Sequence, residues 1–200
     1  MRPALISVRL LAFVPLFCLG AFAQESVLHC DAAQTKASIV LEGNLHTVHG
    51  AFAFKRGELH FDPATGAMSG EIIFDATSGH TDNDSRDKKM NKDVLESQRY
   101  PEFTFRPSHE DGKVAAQGAS TVQLHGMFGI HGSEHEITVP AEVKFDGDRW
   151  SAAVHFPIPY AKWGMKNPSY LFFKVEDTVN VELSAGGSRS PGGATPAAVK

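Results

Sequence analysis

Cysteine is nearly missing from this chain: of its 200 residues two are Cys, and Cys18 lies inside an apolar N-terminal run, which leaves Cys30 alone. One thiol cannot close an internal disulfide, so a cross-linked scaffold is excluded. There is no excess of basic residues, with 19 Lys and Arg against 23 Asp and Glu, and hence no broad electropositive face for nucleic acid. No long apolar stretch follows the first segment, and the run from Leu10 to Phe22 is shorter than the roughly 20 residues that span a bilayer. The chain also has no GxSxG, no P-loop, no GxGxxG after a strand, no CxxC and no HExxH. Each of these supplies a nucleophile, a phosphate cradle or a metal-ligand pair at fixed geometry. No catalytic residue is therefore assigned, and the chain does not read as an enzyme.

What is present begins with an address. Arg2 and Arg9 precede the apolar run, which closes on Ala21-Phe22-Ala23, a small-x-small cleavage pattern. Residues 1–23 are expected to be a signal peptide cleaved near Ala23, sending the mature chain to the periplasm or outside the cell. Its removal takes two arginines and no acid, moving the formal charge from −4 to −6. Residues 24–36 read as an N-terminal extension. There Cys30 either bridges two copies into a homodimer, acts as a reactive thiol, or is simply tolerated near a flexible end; the last is the expectation. Residues 186–200, rich in Gly, Ser, Pro and Ala, read as a disordered tail. Residues 37–185 are left as one domain.

Period-2 alternation dominates that domain. Ile137, Val139, Ala141, Val143 and Phe145 share one face, and Trp150, Ala152, Val154, Phe156 and Ile158 repeat the pattern after Asp146-Gly147-Asp148. This is a hairpin with one wet face and one buried face. Pro140 cannot donate a ladder hydrogen bond, so its strand is an edge, starts late or carries a bulge. Shorter alternations occur at Phe52/Phe54, Phe103/Phe105, Val122/Leu124 towards Phe128/Ile130, and Val179/Val181/Leu183, with turn clusters at 55–57, 62–66 and 110–112. His131 and His135 share parity with His125, but Gly126, Gly129 and Gly132 are expected to interrupt the strand. About eight short strands indicate an all-β, mainly antiparallel barrel or sandwich. One segment differs: residues 84–97 place Met90, Val94 and Leu95 at helical spacing, with Asp84 or Ser85 as N-cap and Tyr100-Pro101 as a stop. A small helical turn is expected near residues 160–168.

The run Asp82-Asn83-Asp84-Ser85-Arg86-Asp87, then Met90, Val94-Leu95-Glu96-Ser97 and Tyr100-Pro101-Glu102-Phe103-Thr104-Phe105 resembles the YceI-like family. Gly50-Ala51-Phe52, Phe61-Asp62-Pro63, Trp163-Gly164-Met165 and Val179-Asn180-Val181 support it in the family's order. The resemblance implies an eight-stranded lipocalin-like barrel, exported, that holds an apolar small molecule such as an isoprenoid quinone or fatty amphiphile; no further cofactor is implied.

An eight-stranded barrel either fills with side chains or encloses one small ligand. The inward candidates for a ligand wall are Phe52, Phe54, Phe74, Met90, Leu95, Phe103, Phe105, Leu124, Phe128, Phe145, Trp150, Phe156 and Trp163. Fourteen Phe against three Tyr means rings without a polar handle, as a dry wall requires. Arg86 either meets the ligand's head group or pairs with an acid to pin the helix, and Asp62 and Asp75 read as turn formers. Two alternatives stay open: a packed, non-catalytic structural barrel, and a metal site at His125, His131 and His135, which would need three or four converging ligands.

Overall fold

A computed structural model describes residues 25–192; the expected signal peptide and residues 193–200 lie outside the described residues. The strands are β1 (Ser26–Cys30), β2 (Lys36–Leu41), β3 (Val48–Phe61), β4 (Met68–His80), β5 (Glu102–Asp111), β6 (Gly118–Ile130), β7 (Ser133–Asp146), β8 (Arg149–Ile158) and β9 (Val179–Pro191). All pairings between them are antiparallel. The order β3-β2-β9-β8-β7-β6-β5-β4 closes on itself through β3–β4, so the sheet is a barrel, not a sandwich. β1 and β2 share one position: both lie between β3 and β9, with Leu28 opposite Leu59 and Arg189, and Ile39 opposite Gly50 and Val181. Nine strands thus make eight staves.

The alternation read from β7 and β8 is the one that folds, with Val139, Ala141, Phe145, Trp150, Val154, Phe156 and Ile158 all buried. β7 pairs with β6 along its whole length, but with β8 only from Ala141 onward. Pro140 therefore sits where no hydrogen bond to β8 is needed.

Four sequence readings change. Ser26–Cys30 is a strand, because Leu28 enters the core at 4% exposure and the Ser26 hydroxyl accepts from Arg189 Nε at 3.0 Å. β9 runs through residues 186–191 of the expected tail, since β8 pairs with it to Ser188, β1 pairs with it from Gly187 to Pro191, and Gly187 admits the His29 carbonyl. The cluster 55–57 is no turn but part of β3, with a register shift between Phe54 and Arg56. β6 continues through Gly126 and Gly129; a Cβ at Gly126 would stand 2.9 Å from both Phe105 and Pro107, so glycine there is a packing requirement.

The helical segment is capped by Asn83 and not by the expected Asp84 or Ser85: the Asn83 side chain accepts from the Arg86 N–H, and the helix runs as α1 (Asp84–Lys89). It continues as a π-turn over Met90–Val94, closed by Leu95 N–H to the Met90 carbonyl at 2.9 Å. The segment is thus shorter than the expected 84–97, and half of it is widened. Asn91 explains the change: its amide donates to the Asp87 and Gly79 carbonyls and its oxygen accepts from Ser97 Oγ, tying the chain to β4 where a regular helix would run on. Near residues 160–168 the chain makes turns over 160–164, with Trp163 N–H shared between the Pro159 and Tyr160 carbonyls.

Candidate functional site

The two ends of the barrel are built differently. At the end carrying the β3–β4 and β7–β8 hairpins, Leu28, Leu59, Phe61, Val122, Leu124, Phe145 and Trp150 are buried together. Phe61 stacks on Phe145 at 6.4 Å, Arg189 covers Phe145 at 4.7 Å, and Trp150 Nε1 donates to the His29 carbonyl. That end is a packed core.

The other end encloses a cavity of about 690 Å³. Packed interiors leave few voids larger than a water molecule, so this volume is a built feature, and it lies within the range of small-molecule sites. Of the candidates named from sequence, Phe52, Phe74, Met90, Leu95, Phe103, Phe105, Phe128 and Phe156 line it, as does Arg86. Phe52 meets Phe103 edge to face at 5.0 Å, and Phe128 meets Phe156 likewise at 5.9 Å.

Five candidates fall elsewhere. Leu124, Phe145 and Trp150 belong to the packed end, because parity tells inward from outward but not how far along the barrel a residue sits. Phe54 lies edge to face with its cross-strand partner Phe74, and of the two rings only that of Phe74 reaches the wall. Trp163 stacks flat on His135, 3.8 Å between centroids, on the flank of β7 that β8 has left unpaired. The wall also includes Ala37, Ile39 and Leu41 of β2, Ile137, Val139, Val154, Val181, Leu183 and Met165. The β-branched members on β7, β8 and β9 were legible as inward-facing; a preference for aromatic rings passed them over. β2 carried no clean alternation.

Two polar side chains on the wall, Tyr160 and Arg86, are held by hydrogen bonds. Tyr160 donates its hydroxyl to the Glu176 carbonyl at 2.7 Å, and burial, helped by Asp177 and Glu176, pushes its phenol up to about 12. Arg86 donates from Nε to Thr81 Oγ1 at 2.6 Å and from its terminal nitrogen to the Thr81 carbonyl, while Thr81 Oγ1 donates to Asp87. Arg86 thus pins the helix to the end of β4 through a buried threonine and not through an acid.

The histidines do not converge. His125 faces Asp111 and Thr138, His131 lies 3.3 Å from Glu96 and against Tyr100, and His135 stacks on Trp163. Among the described residues no group of three or more His, Cys, Asp or Glu is placed to hold a metal ion. Asp62 closes the β3–β4 turn, accepting from Ala64 N–H and the Thr65 hydroxyl, whereas Asp75, read as a turn former, lies within β4 opposite Ala53 and Glu102 and accepts from the Thr77 hydroxyl and N–H.

A closed antiparallel barrel, packed at one end and hollow and apolar at the other under a short helix, defines a binding protein of the lipocalin-like class. The YceI-like domain matches residues 28–186, and the chain belongs to that family. Solved structures share the fold. BcnA of Burkholderia cenocepacia is 21% identical, over 80% of this chain and 99% of that one, with a TM-score of 0.66. A polyisoprenoid binding domain from Saccharophagus degradans is 15% identical, over 82% and 98%, with a TM-score of 0.64. A mutant YCEI protein of Campylobacter jejuni is 18% identical, over 74% and 84%, with a TM-score of 0.51. A comparison with curated proteins found no match.

Proposed function

We propose that this protein is an exported, non-catalytic carrier that holds one long-chain isoprenoid or fatty amphiphile with its tail in the barrel cavity. The observation that carries the reading is the apolar hollow of about 690 Å³, walled by phenylalanines and aliphatic side chains in a barrel whose other half is packed solid. Each methylene brought from water into such a wall gains about 0.8 kcal/mol, so chain length sets affinity. The likeness to the polyisoprenoid binding domain supports an isoprenoid as the occupant. Arg86 borders the cavity with part of its guanidinium fork uncommitted, and it meets the oxygen atoms of the head group at the mouth.

Native mass spectrometry and organic extraction of gently purified protein test the proposal, with one amphiphile per chain as the expected result. A barrel that carries none and also refuses added long-chain quinone overturns it. Export is supported by the charged-then-apolar pattern of residues 1–23, and the secreted or periplasmic protein is expected to begin at Gln24 by N-terminal sequencing.

A further inference from the structure

Two loops border the cavity mouth, 42–47 and 159–178, and between them they expose apolar side chains that the barrel does not use. Leu45, Tyr170, Leu171, Phe172 and Phe173 are 64%, 66%, 66%, 83% and 54% exposed, and they are the exposed large hydrophobics of the described residues. The loops are held as one unit: Asn44 donates to the Phe172 carbonyl and accepts from Lys174 N–H, and Glu176 N–H reaches the Glu42 carbonyl.

The tip is a tight turn in which Tyr170 and Phe173 exchange both backbone hydrogen bonds around Leu171 and Phe172. Such two-residue turns favour Gly or Asn, because they need positive φ. Here Leu171 takes φ 50, a conformation that disfavours a bulky side chain, so the turn holds a leucine and a phenylalanine outward against both steric preference and the hydrophobic effect. Exposed apolar clusters of this kind mark contact surfaces.

Charge selects the partner. The protein is net acidic, yet residues 165–175 contain Lys166 and Lys174 and no carboxylate. Among the described residues neither lysine forms an ion pair, and Lys89 of the helix donates to the Pro168 carbonyl beside them. The carboxylates of the two loops, Glu42, Glu176 and Asp177, sit at their bases, where Glu42 accepts from Thr47, Glu176 N–H reaches the Glu42 carbonyl and Asp177 accepts from Asn167. An apolar tip with a cationic collar matches a bilayer whose surface is anionic, the tip entering the acyl boundary and the lysines meeting phosphates. Leu45, Phe173 and Lys174 also line the cavity, so the apolar surface is continuous from tip to hollow.

We propose that the Tyr170–Phe173 turn, with Leu45, docks the barrel mouth on an anionic phospholipid membrane and so opens the cavity directly to the acyl layer. The inference rests on the carrier reading only for its purpose, since a docked mouth gives an insoluble chain a path that avoids water.

Flotation of the full chain with vesicles of phosphatidylcholine and phosphatidylglycerol in equal parts, and with phosphatidylcholine alone, tests it. The wild type is expected to float with the anionic vesicles. Leu171→Asn suits the positive φ and Phe172→Ser removes a ring that packs on nothing, so both variants keep their melting temperature; each is expected to lower vesicle binding about tenfold. Lys166→Glu is expected to lower binding to the anionic vesicles by at least about fivefold. A wild type that stays with the buffer, or tip variants that float as well as it does, overturns the proposal. So does a dimer on a sizing column that Phe172→Ser dissolves while no vesicle is bound, because the tip is then a self-association surface. Uptake of detergent-solubilised long-chain quinone is measured in parallel and is expected to be equal in wild type and tip variants. If uptake fails in all of them while flotation behaves as stated, the carrier reading falls and the docking surface stands.

Discussion

Glu110 and Cys30 show how burial governs single groups in this barrel. Glu110 is 7% exposed and its Oε2 has no hydrogen-bond partner. Loss of solvent holds its carboxyl above the ordinary carboxylate range, with His109 opposing and Asp111 assisting. A folded-state value above the unfolded one means that the group favours folding while it is protonated, and that this contribution disappears as pH rises through the folded value. Folding therefore disfavours the ionised form of Glu110, and the penalty grows as pH rises above the ordinary carboxylate range. Glu110→Gln is expected to raise the melting temperature at neutral pH, and the gain is expected to shrink towards zero below the ordinary carboxylate value; thermal unfolding across that range checks both. Cys30, read from sequence as lying near a flexible end, instead closes β1 and packs beside Gly57 and Ile72. Burial pushes its thiol up to about 12, so at neutral pH it is both protonated and shielded. Alkylation by iodoacetamide is expected to be slow in the native protein and to reach the rate of a free thiol in denaturant. Gly79 is a third case: a Cβ there would stand 2.5 Å from the Phe52 ring and 2.7 Å from the Met90 methyl. Gly79→Ala should push both side chains into the cavity and weaken uptake of a long-chain probe, while a probe of shorter chain is affected less.

The helix over the mouth was legible as a helix because Met90, Val94 and Leu95 recur at its period, although its cap proved to be Asn83, one residue before the expected Asp84 or Ser85. Its π-turned second half was not, because that depends on Asn91 reaching across to Gly79, a contact between elements. What holds the segment in place is the set of bonds from Arg86 to Thr81. Hydrogen bonds to a charged group are worth about 1.5–3 kcal/mol, and a helix this short has little stability of its own. Arg86→Ala is expected to speed amide hydrogen exchange in residues 84–94 far more than in β6 or β7, and hydrogen exchange with mass-spectrometric readout measures it. Strands show the same division. β8 carries clean alternation and was placed to within a residue, while β7 starts at Ser133, four residues before its alternation; β1 is only five residues long and the end of β9 is rich in glycine and serine, and pairing with neighbouring strands makes strands of them.

Across the whole barrel the contrast is between a filled end and a hollow end, and the same substitution should read out differently in each. Phe145 is 2% exposed between Phe61 and Arg189. Phe145→Ala is expected to cost about 3–5 kcal/mol in urea unfolding. Phe128 already faces the cavity, so Phe128→Ala leaves no new closed void and is expected to cost clearly less while changing ligand uptake. Residue order along the chain was enough for the all-β class, the antiparallel hairpins, the buried face of each regular strand and the family, since all of these are local periodicities or motifs. Eight of the thirteen wall candidates line the hollow, since alternation separates inside from outside on the strands and helical spacing does the same for Met90 and Leu95. Where the barrel is plugged and where it is hollow is a property of how eight staves stagger around an axis, and the two loops that raise an apolar tip meet because β2 pairs with β9 and Gly43 bridges to Val175. Those outcomes come from contacts between residues far apart in the chain, and only the folded barrel brings them together.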